Sequence, residues 1–242
     1  MESFLGGRFV PLTFSIGFIE KPLAVVGDEY LRWSREHQSA VEVVPIEGRL
    51  SSVLPKLEPL TTLPRRTLLL ATQSPWTAYF DNGIEGPDPA PPVVYLTQKL
   101  HCRGLVATCV PHTLTTETGS DTGTYGAVQF ELFAPERREF LNYERSVGAI
   151  YDGGRWRFDA NGSIQPFEDV SRYTARRITD RFTPEMLQRY CEALGVRIFD
   201  EDFYRGPGLL VVIRDPLPKG HGQLTLTEAQ KQITPGQREE NE

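Results

Sequence analysis

The residues best suited to chemistry sit at the ends of apolar runs. Asp81-Asn82 closes the run Trp76–Phe80 beside a Gly/Pro-rich loop, a position where active-site carboxylates are often found. His112 opens a Thr-rich loop after the apolar run Gly104–Val110, where open α/β sheets place ligands beyond a strand's carboxyl end. With Asp81 or Glu131 it would make an acid–base pair acting on a small polar molecule, with Arg176 or Arg177 holding an anion. Each residue also has a simpler role. Asp and Asn are turn formers, loop histidines are common, and no spacing ties these groups together. Gln129 and Glu131 lie on the polar side of an alternating strand, which a wet sheet face explains equally well.

The stretch Gly119-Ser-Asp-Thr-Gly-Thr-Tyr-Gly126 is rich in glycine and hydroxyls. A phosphate cradle would need a helix N-terminus and usually a Lys. Here a β-patterned segment follows and the Lys is missing, so a loop is expected. Arg172, Arg176, Arg177 and Arg181 lie near Asp169 and Asp180. On a helix, spacings of four and five residues would put some of them on one face, as an anion site or as an ion-paired surface. P-loop, GxGxxG, GxSxG, HExxH and EF-hand patterns are absent. The three cysteines include no CxxC pair, so neither a zinc nor a redox motif is read, and no metal or cofactor is expected. Cys109 and Cys191 read as core thiols.

These residues need elements to hold them. Phe14, Ile16 and Phe18 alternate with Thr13, Ser15 and Gly17, the period of a strand. A helix should follow from Pro22, with Leu23, Val26, Tyr30, Trp33 and His37 on one stripe. Val41–Ile46 reads as a short strand, and Leu50–Leu57 as a helix broken at Pro55. Thr67–Thr72 is apolar on both faces, as in a central strand. Trp76, Ala78 and Phe80 should face a core, Thr77, Tyr79 and Asp81 the opposite side, and Asn82-Gly83 a positive-φ turn. Residues 83–92 carry four prolines and two glycines, so they form a loop. Helix Val93–His101 between two apolar strands makes a right-handed crossover and a parallel pair plausible. Gly126–Leu132 alternates, and Glu144–Tyr151 with Arg155–Asp159 predicts a hairpin across Asp152-Gly153-Gly154. Thr183 as N-cap, Pro184 at the first helical position and Gly195 after the last turn bound one more helix. Gly208–Ile213 is a final strand.

At 242 residues the chain can bury roughly 70–75% of its unfolded surface and needs no disulfide to fold. Its net charge of −6 argues against nucleic-acid binding and suits a basic protein partner. No apolar run approaches membrane-spanning length, and the N-terminus lacks a signal-peptide pattern. A cytoplasmic location away from membranes is therefore expected. The fold class expected is α+β: residues 1–215 as a single domain with a mixed, mostly antiparallel sheet and about four packed helices. Residues 216–242 read as a polar, disordered or loosely docked tail.

Phe80-Asp-Asn-Gly83, Cys102-Arg-Gly104, Gly126-Ala-Val-Gln-Phe-Glu-Leu-Phe133, Phe140-Leu-Asn-Tyr143 and Tyr190-Cys-Glu-Ala-Leu-Gly195 carry a resemblance over roughly residues 13 to 212. The chain resembles a family of bacterial cytosolic proteins without an assigned activity. Some relatives are similar to immunity proteins encoded beside polymorphic or secreted toxins. These motifs are packing and turn motifs, so no catalytic residue follows from them. The resemblance implies a non-enzymatic antitoxin that binds a toxin with a basic surface and covers its active site. Aromatic and acidic anchors would then sit exposed at the contact, and Tyr79, Asp81, His112, Asp121, Tyr125 and Glu131 are the residues expected there. Two other functions remain open: the small-molecule enzyme using Asp81 and His112, and a scaffold whose tail recruits a partner.

Overall fold

The computed structural model of the protein describes residues 3–114, 123–136 and 142–233. In chain order its elements are β1 (Ser15–Ile19), α1 (Leu23–His37), β2 (Val41–Ile46), α2 (Leu50–Val53), β3 (Leu60–Thr61), β4 (Arg66–Ala71), β5 (Thr77–Asp81), α3 (Ala90–Leu100), β6 (Gly104–Val110), β7 (Ala127–Phe133), β8 (Tyr143–Tyr151), β9 (Trp156–Gly162), α4 (Pro184–Ala193), β10 (Gly208–Ile213), β11 (Gln223–Leu224) and α5 (Leu226–Ile233). This is an α+β architecture. Its centre is a nine-stranded sheet in the order β2-β10-β4-β5-β1-β6-β7-β8-β9.

Every pairing in that sheet is antiparallel, which corrects the mixed sheet expected. β5 and β6 do run in the same direction, joined through α3. They are not neighbours, because β1 lies between them and pairs antiparallel with both. β4 and β5 form a hairpin, and β10 returns from far along the chain to fill the slot between β2 and β4. Five α-helices are present among the described residues, one more than expected; α2 is a single turn that passes into a 3-10 turn at Leu54–Leu57, where Pro55 ends α-helical bonding.

Period-2 alternation sends each strand's side chains to two faces, and both faces are buried near the sheet centre. The first face carries Ile16, Phe18, Leu68, Ala78, Phe80 and Leu105. α4 packs there through Met186, Leu187, Tyr190 and Cys191. The second face carries Ile19, Leu69, Tyr79, Val106 and Val211 under α1 and α3. α3 sits close because β6 begins with glycine: a Cβ on Gly104 would lie 2.3 Å from Thr97 Cγ2 and 2.6 Å from Val93 Cγ1. α4 has the ends its sequence implied. Thr183 Oγ1 accepts the Met186 N–H at 3.4 Å, and Gly195 follows the helix at φ 78°.

One local reading is corrected. Neither Asn82 nor Gly83 adopts positive φ. Asn82 is buried instead, and its side chain ties the preceding loop to the strand end: Oδ1 accepts the Arg65 and Arg66 N–H groups at 2.8 and 2.9 Å, and Nδ2 donates to the Pro59 carbonyl at 2.6 Å. The polar segment after Pro216 contributes structure: β11 pairs with β3, and α5 buries Ala229. No helix among the described residues is long and apolar enough to cross a membrane.

Candidate partner-binding site

Four rings gather where β6 leaves the sheet and the β8–β9 hairpin turns. Tyr151 ends β8 and Trp156 begins β9, and the two are cross-strand partners. Such pairs hold their side chains close on one face. Their rings meet at 5.9 Å between centroids and 72° between planes. His112 lies over Tyr151 at 4.4 Å and edge-on to Trp156 at 5.6 Å. Tyr125 stacks on the Tyr151 ring, 5.9 Å away and 12° from parallel. Tyr125 remains 48% exposed and rests on Tyr151, which is in turn packed on His112 and Trp156.

The surrounding backbone holds the group in place. The hairpin is closed by Asp152, whose Oδ1 accepts the Gly154 and Arg155 N–H groups at 3.2 and 3.0 Å. The other carboxylate oxygen pairs with Arg157, and this bond is the main reason its carboxyl is pulled down to about 2. Asp152 is therefore charged beside the rings at neutral pH. The Gly126 N–H donates to His112 Nδ1 at 3.2 Å, which makes that nitrogen the acceptor. A Cβ at Gly126 would lie 2.6 Å from His112 Cβ and 2.6 Å from Trp156 Cη2, so only glycine lets the rings close. Thr113 and Thr124 clasp the base of the intervening loop, with the Thr124 N–H donating to Thr113 Oγ1 at 3.0 Å and the Thr113 N–H to the Thr124 carbonyl at 3.1 Å.

Of the six residues expected at an exposed contact, the structure brings His112 and Tyr125 together. Asp121 lies outside the described residues, as does most of the glycine- and hydroxyl-rich loop. Tyr79 and Asp81 are 4% and 1% exposed, which corrects their reading as surface anchors. The reason is that the face they share, expected to be polar, is covered by α1 and α3. There Asp81 accepts the Gly83 N–H at 2.9 Å and the Asp88 N–H at 3.3 Å, organising the loop that leads to α3. Burial is the largest influence on its carboxyl, which is raised to about 6 against those bonds. Glu131 is half-buried on the second face, takes the Tyr143 hydroxyl at 3.0 Å, and is also raised by burial.

Asp81 and His112 do not form a pair. His112 packs with Tyr151, which alternates with Ala149 on the first face, whereas Asp81 shares the second face with Tyr79. The sheet stands between them. Arg172, Arg176 and Arg177 are exposed, and Arg181 donates to the Ala175 carbonyl at 2.9 Å. Only Arg172 falls within a 3-10 turn, Val170–Thr174; Arg176 and Arg177 precede a second one, Ile178–Asp180, and Arg181 follows it, so no continuous helix gathers the four on one face. Among the described residues no group of three or more His, Cys, Asp and Glu side chains converges to hold a metal ion.

Tyr151 and Trp156 were legible as hairpin residues, but their role beside His112 and Tyr125 was not. The signal was two aromatics bracketing Asp152-Gly-Gly-Arg155, which a hairpin must place opposite one another. Comparison of the chain with protein-family models, with curated proteins and with solved structures gives no match.

Proposed function

We propose that the chain is a non-enzymatic protein-binding protein, an immunity protein that binds a bacterial toxin and covers its active site. The observation that carries this reading is the exposed Tyr125 ring stacked on Tyr151. An aromatic side chain stacked on another ring contributes large contact area at little entropic cost, and such residues dominate interface energetics. The net charge of −6 suits a basic partner surface, since complementary fields speed encounter and suppress wrong partners. The resemblance to relatives of immunity proteins points the same way.

The test is capture from the native host with the tagged full chain, followed by expression of the captured protein alone and with this chain. A captured protein that kills cells, and is neutralised by co-expression, supports the reading. Tyr125→Ala should then weaken binding by roughly tenfold or more while leaving the melting temperature unchanged. Capture of no toxic partner, together with no toxin gene beside this one, overturns the proposal. Full neutralisation and unchanged affinity in Tyr125→Ala would move the interface elsewhere.

A further inference from the structure

The nine-stranded sheet ends in two edges, β2 and β9, and they are built differently. In an antiparallel ladder alternate residues bond to one neighbour, while those between them point their N–H and C=O the other way. The Arg214 N–H donates to the Ala40 carbonyl, so the even-numbered residues of β2 face β10, and Val41, Val43 and Pro45 face outward. Pro45 has no N–H to offer, and a proline so placed guards an edge against further pairing. At the other edge the Asp152 N–H donates to the Arg155 carbonyl and the Ser163 N–H to the Glu144 carbonyl. The odd-numbered residues of β9 therefore bond to β8, and Trp156, Phe158 and Ala160 point their backbone groups away from the sheet.

No proline interrupts this outward row. Among the described residues no other group bonds to it, and the nearby turn Ile178–Asp180 makes no backbone bond to β9. The Phe158 side chain is held on the first face by the Tyr173 ring at 5.1 Å and the Arg181 guanidinium at 5.9 Å. On the other side of the strand Arg157, Asp159 and Asn161 are exposed. Their charges decide what fits. A second β9 can be laid antiparallel along the first with the outward rows in phase and a two-fold axis at Phe158. Phe158 then faces Phe158 of the second copy, Trp156 faces its Ala160, and Arg157 faces its Asp159 on both sides of the axis. Sliding one strand by two residues either way sets Arg157 against Arg157 or Asp159 against Asp159. Opposite charges facing each other across strands stabilise a pair, and like charges destabilise it. This register alone opposes both charges with their opposites.

We propose that β9 pairs with β9 of a second copy of this chain about a two-fold axis at Phe158, joining two nine-stranded sheets into one. The same surface is used by both copies, so the contact closes at a dimer. The outward backbone groups of Trp156, Phe158 and Ala160 supply the ladder, and the Arg157–Asp159 pairs fix the register on the exposed side. Arg157 already meets Asp152 within its own chain, so in the dimer it lies between two carboxylates. This inference stands apart from the protein-binding reading, which rests on Tyr125.

Analytical ultracentrifugation of the full chain tests it, with a dimer expected at roughly 100 μM. Asp159→Arg should weaken the dimer roughly tenfold, and adding Arg157→Asp to the same chain should restore it, because the facing pair re-forms with its signs exchanged. Cysteine placement gives a second readout, since the three native cysteines are buried. Under mild oxidation neither Arg157→Cys nor Asp159→Cys should cross-link by itself. An equal mixture of the two should yield a disulfide-linked pair, because each new thiol faces the other's position. A wild-type chain that stays monomeric at that concentration overturns the proposal. So does a dimer that Asp159→Arg leaves unchanged, a charge exchange that fails to restore it, cross-linking of either cysteine variant alone, or a mixture that does not cross-link.

Discussion

Arg145 and Glu168 form a two-pronged ion pair inside the protein, with bonds of 2.8 and 2.6 Å and side chains only 3% and 0% exposed. Arg145 comes from β8 and Glu168 from the loop after β9, so the pair pins that loop to the first face of the sheet. Glu168 also accepts the Gln165 N–H at 2.8 Å and the Tyr173 hydroxyl at 2.7 Å, and Tyr173 meets the Tyr190 hydroxyl of α4 at 3.0 Å. Removing one member leaves the other charge buried without its partner, which typically costs about 3–5 kcal/mol. Glu168→Gln should lose about that much in urea denaturation. The double change Arg145→Met with Glu168→Met should recover most of the loss, because it removes both charges at once. A loss below about 1 kcal/mol for Glu168→Gln would show that the loop is held by other contacts.

The buried Asp81 carboxyl should make stability fall as pH rises. Its carboxyl titrates near 3.8 when unfolded and about 6 when folded. Below the lower value both states are protonated and the folded state keeps its full advantage. Between the two the unfolded chain has lost its proton while the folded one retains it, so the slope of unfolding free energy with pH is negative. Above about 6 both are ionised and the curve is flat again. The whole change amounts to at most about 3 kcal/mol. Asp81→Asn cannot titrate, so the wild type should gain stability relative to this variant between pH 7 and pH 4. Chemical denaturation of both proteins across that range measures it. Parallel curves would mean that the carboxyl keeps its ordinary pKa.

Gly104 sets the distance between α3 and the sheet. Gly104→Ala places a methyl group within 2.6 Å of both Thr97 and Val93 side chains, so α3 must move outward. Overpacking of this kind usually costs about 1–3 kcal/mol. Thr97 also accepts the Asn142 side-chain N–H at 2.9 Å. The shift should therefore extend to the start of β8, and Asn142→Ala in the same background should cost less than it does alone. Additive losses in this double-mutant cycle would mean that α3 stays in place.

Strands that bury both faces were readable from their apolar content, and α4 was readable from its two ends. Their arrangement was less so. Local alternation says that β1 is a strand, but not that it inserts between β5 and β6, because that choice depends on pairing with residues about 60 and 90 positions away. The same limit explains Tyr79 and Asp81. A period of two put them on a common face, but whether that face meets water depends on where α1 and α3 land. His112 and Tyr125 were picked singly for their type and loop position; what joins them is the register of β7, β8 and β9. The segment after Pro216 is too polar to show a core stripe in sequence, yet α5 buries Ala229, and Leu224 and Leu226 pack partly against the same core.

That segment gives the last prediction. Thr225 and Glu228 form a reciprocal cap, with the Thr225 N–H donating to Glu228 at 2.7 Å and the Glu228 N–H to Thr225 Oγ1 at 3.2 Å. The bond from the Thr225 N–H is the leading cause that holds the Glu228 carboxyl below its usual range. The helix then docks through Ala229, 2% exposed, while the Leu226 N–H donates to Glu58 at 2.6 Å and the Gln230 side chain to the Arg8 carbonyl at 3.0 Å. An eight-residue helix is marginal alone in water, so α5 exists because it is docked. Ala229→Arg should undock it without unfolding the sheet, since α5 rests at the rim of the first-face core. Hydrogen exchange should then speed up by roughly tenfold or more in residues 226–233 and stay unchanged in β4 and β5. Unchanged protection in α5 would show that its cap and the Glu58 contact suffice, and faster exchange throughout the sheet would make α5 part of the main cooperative unit.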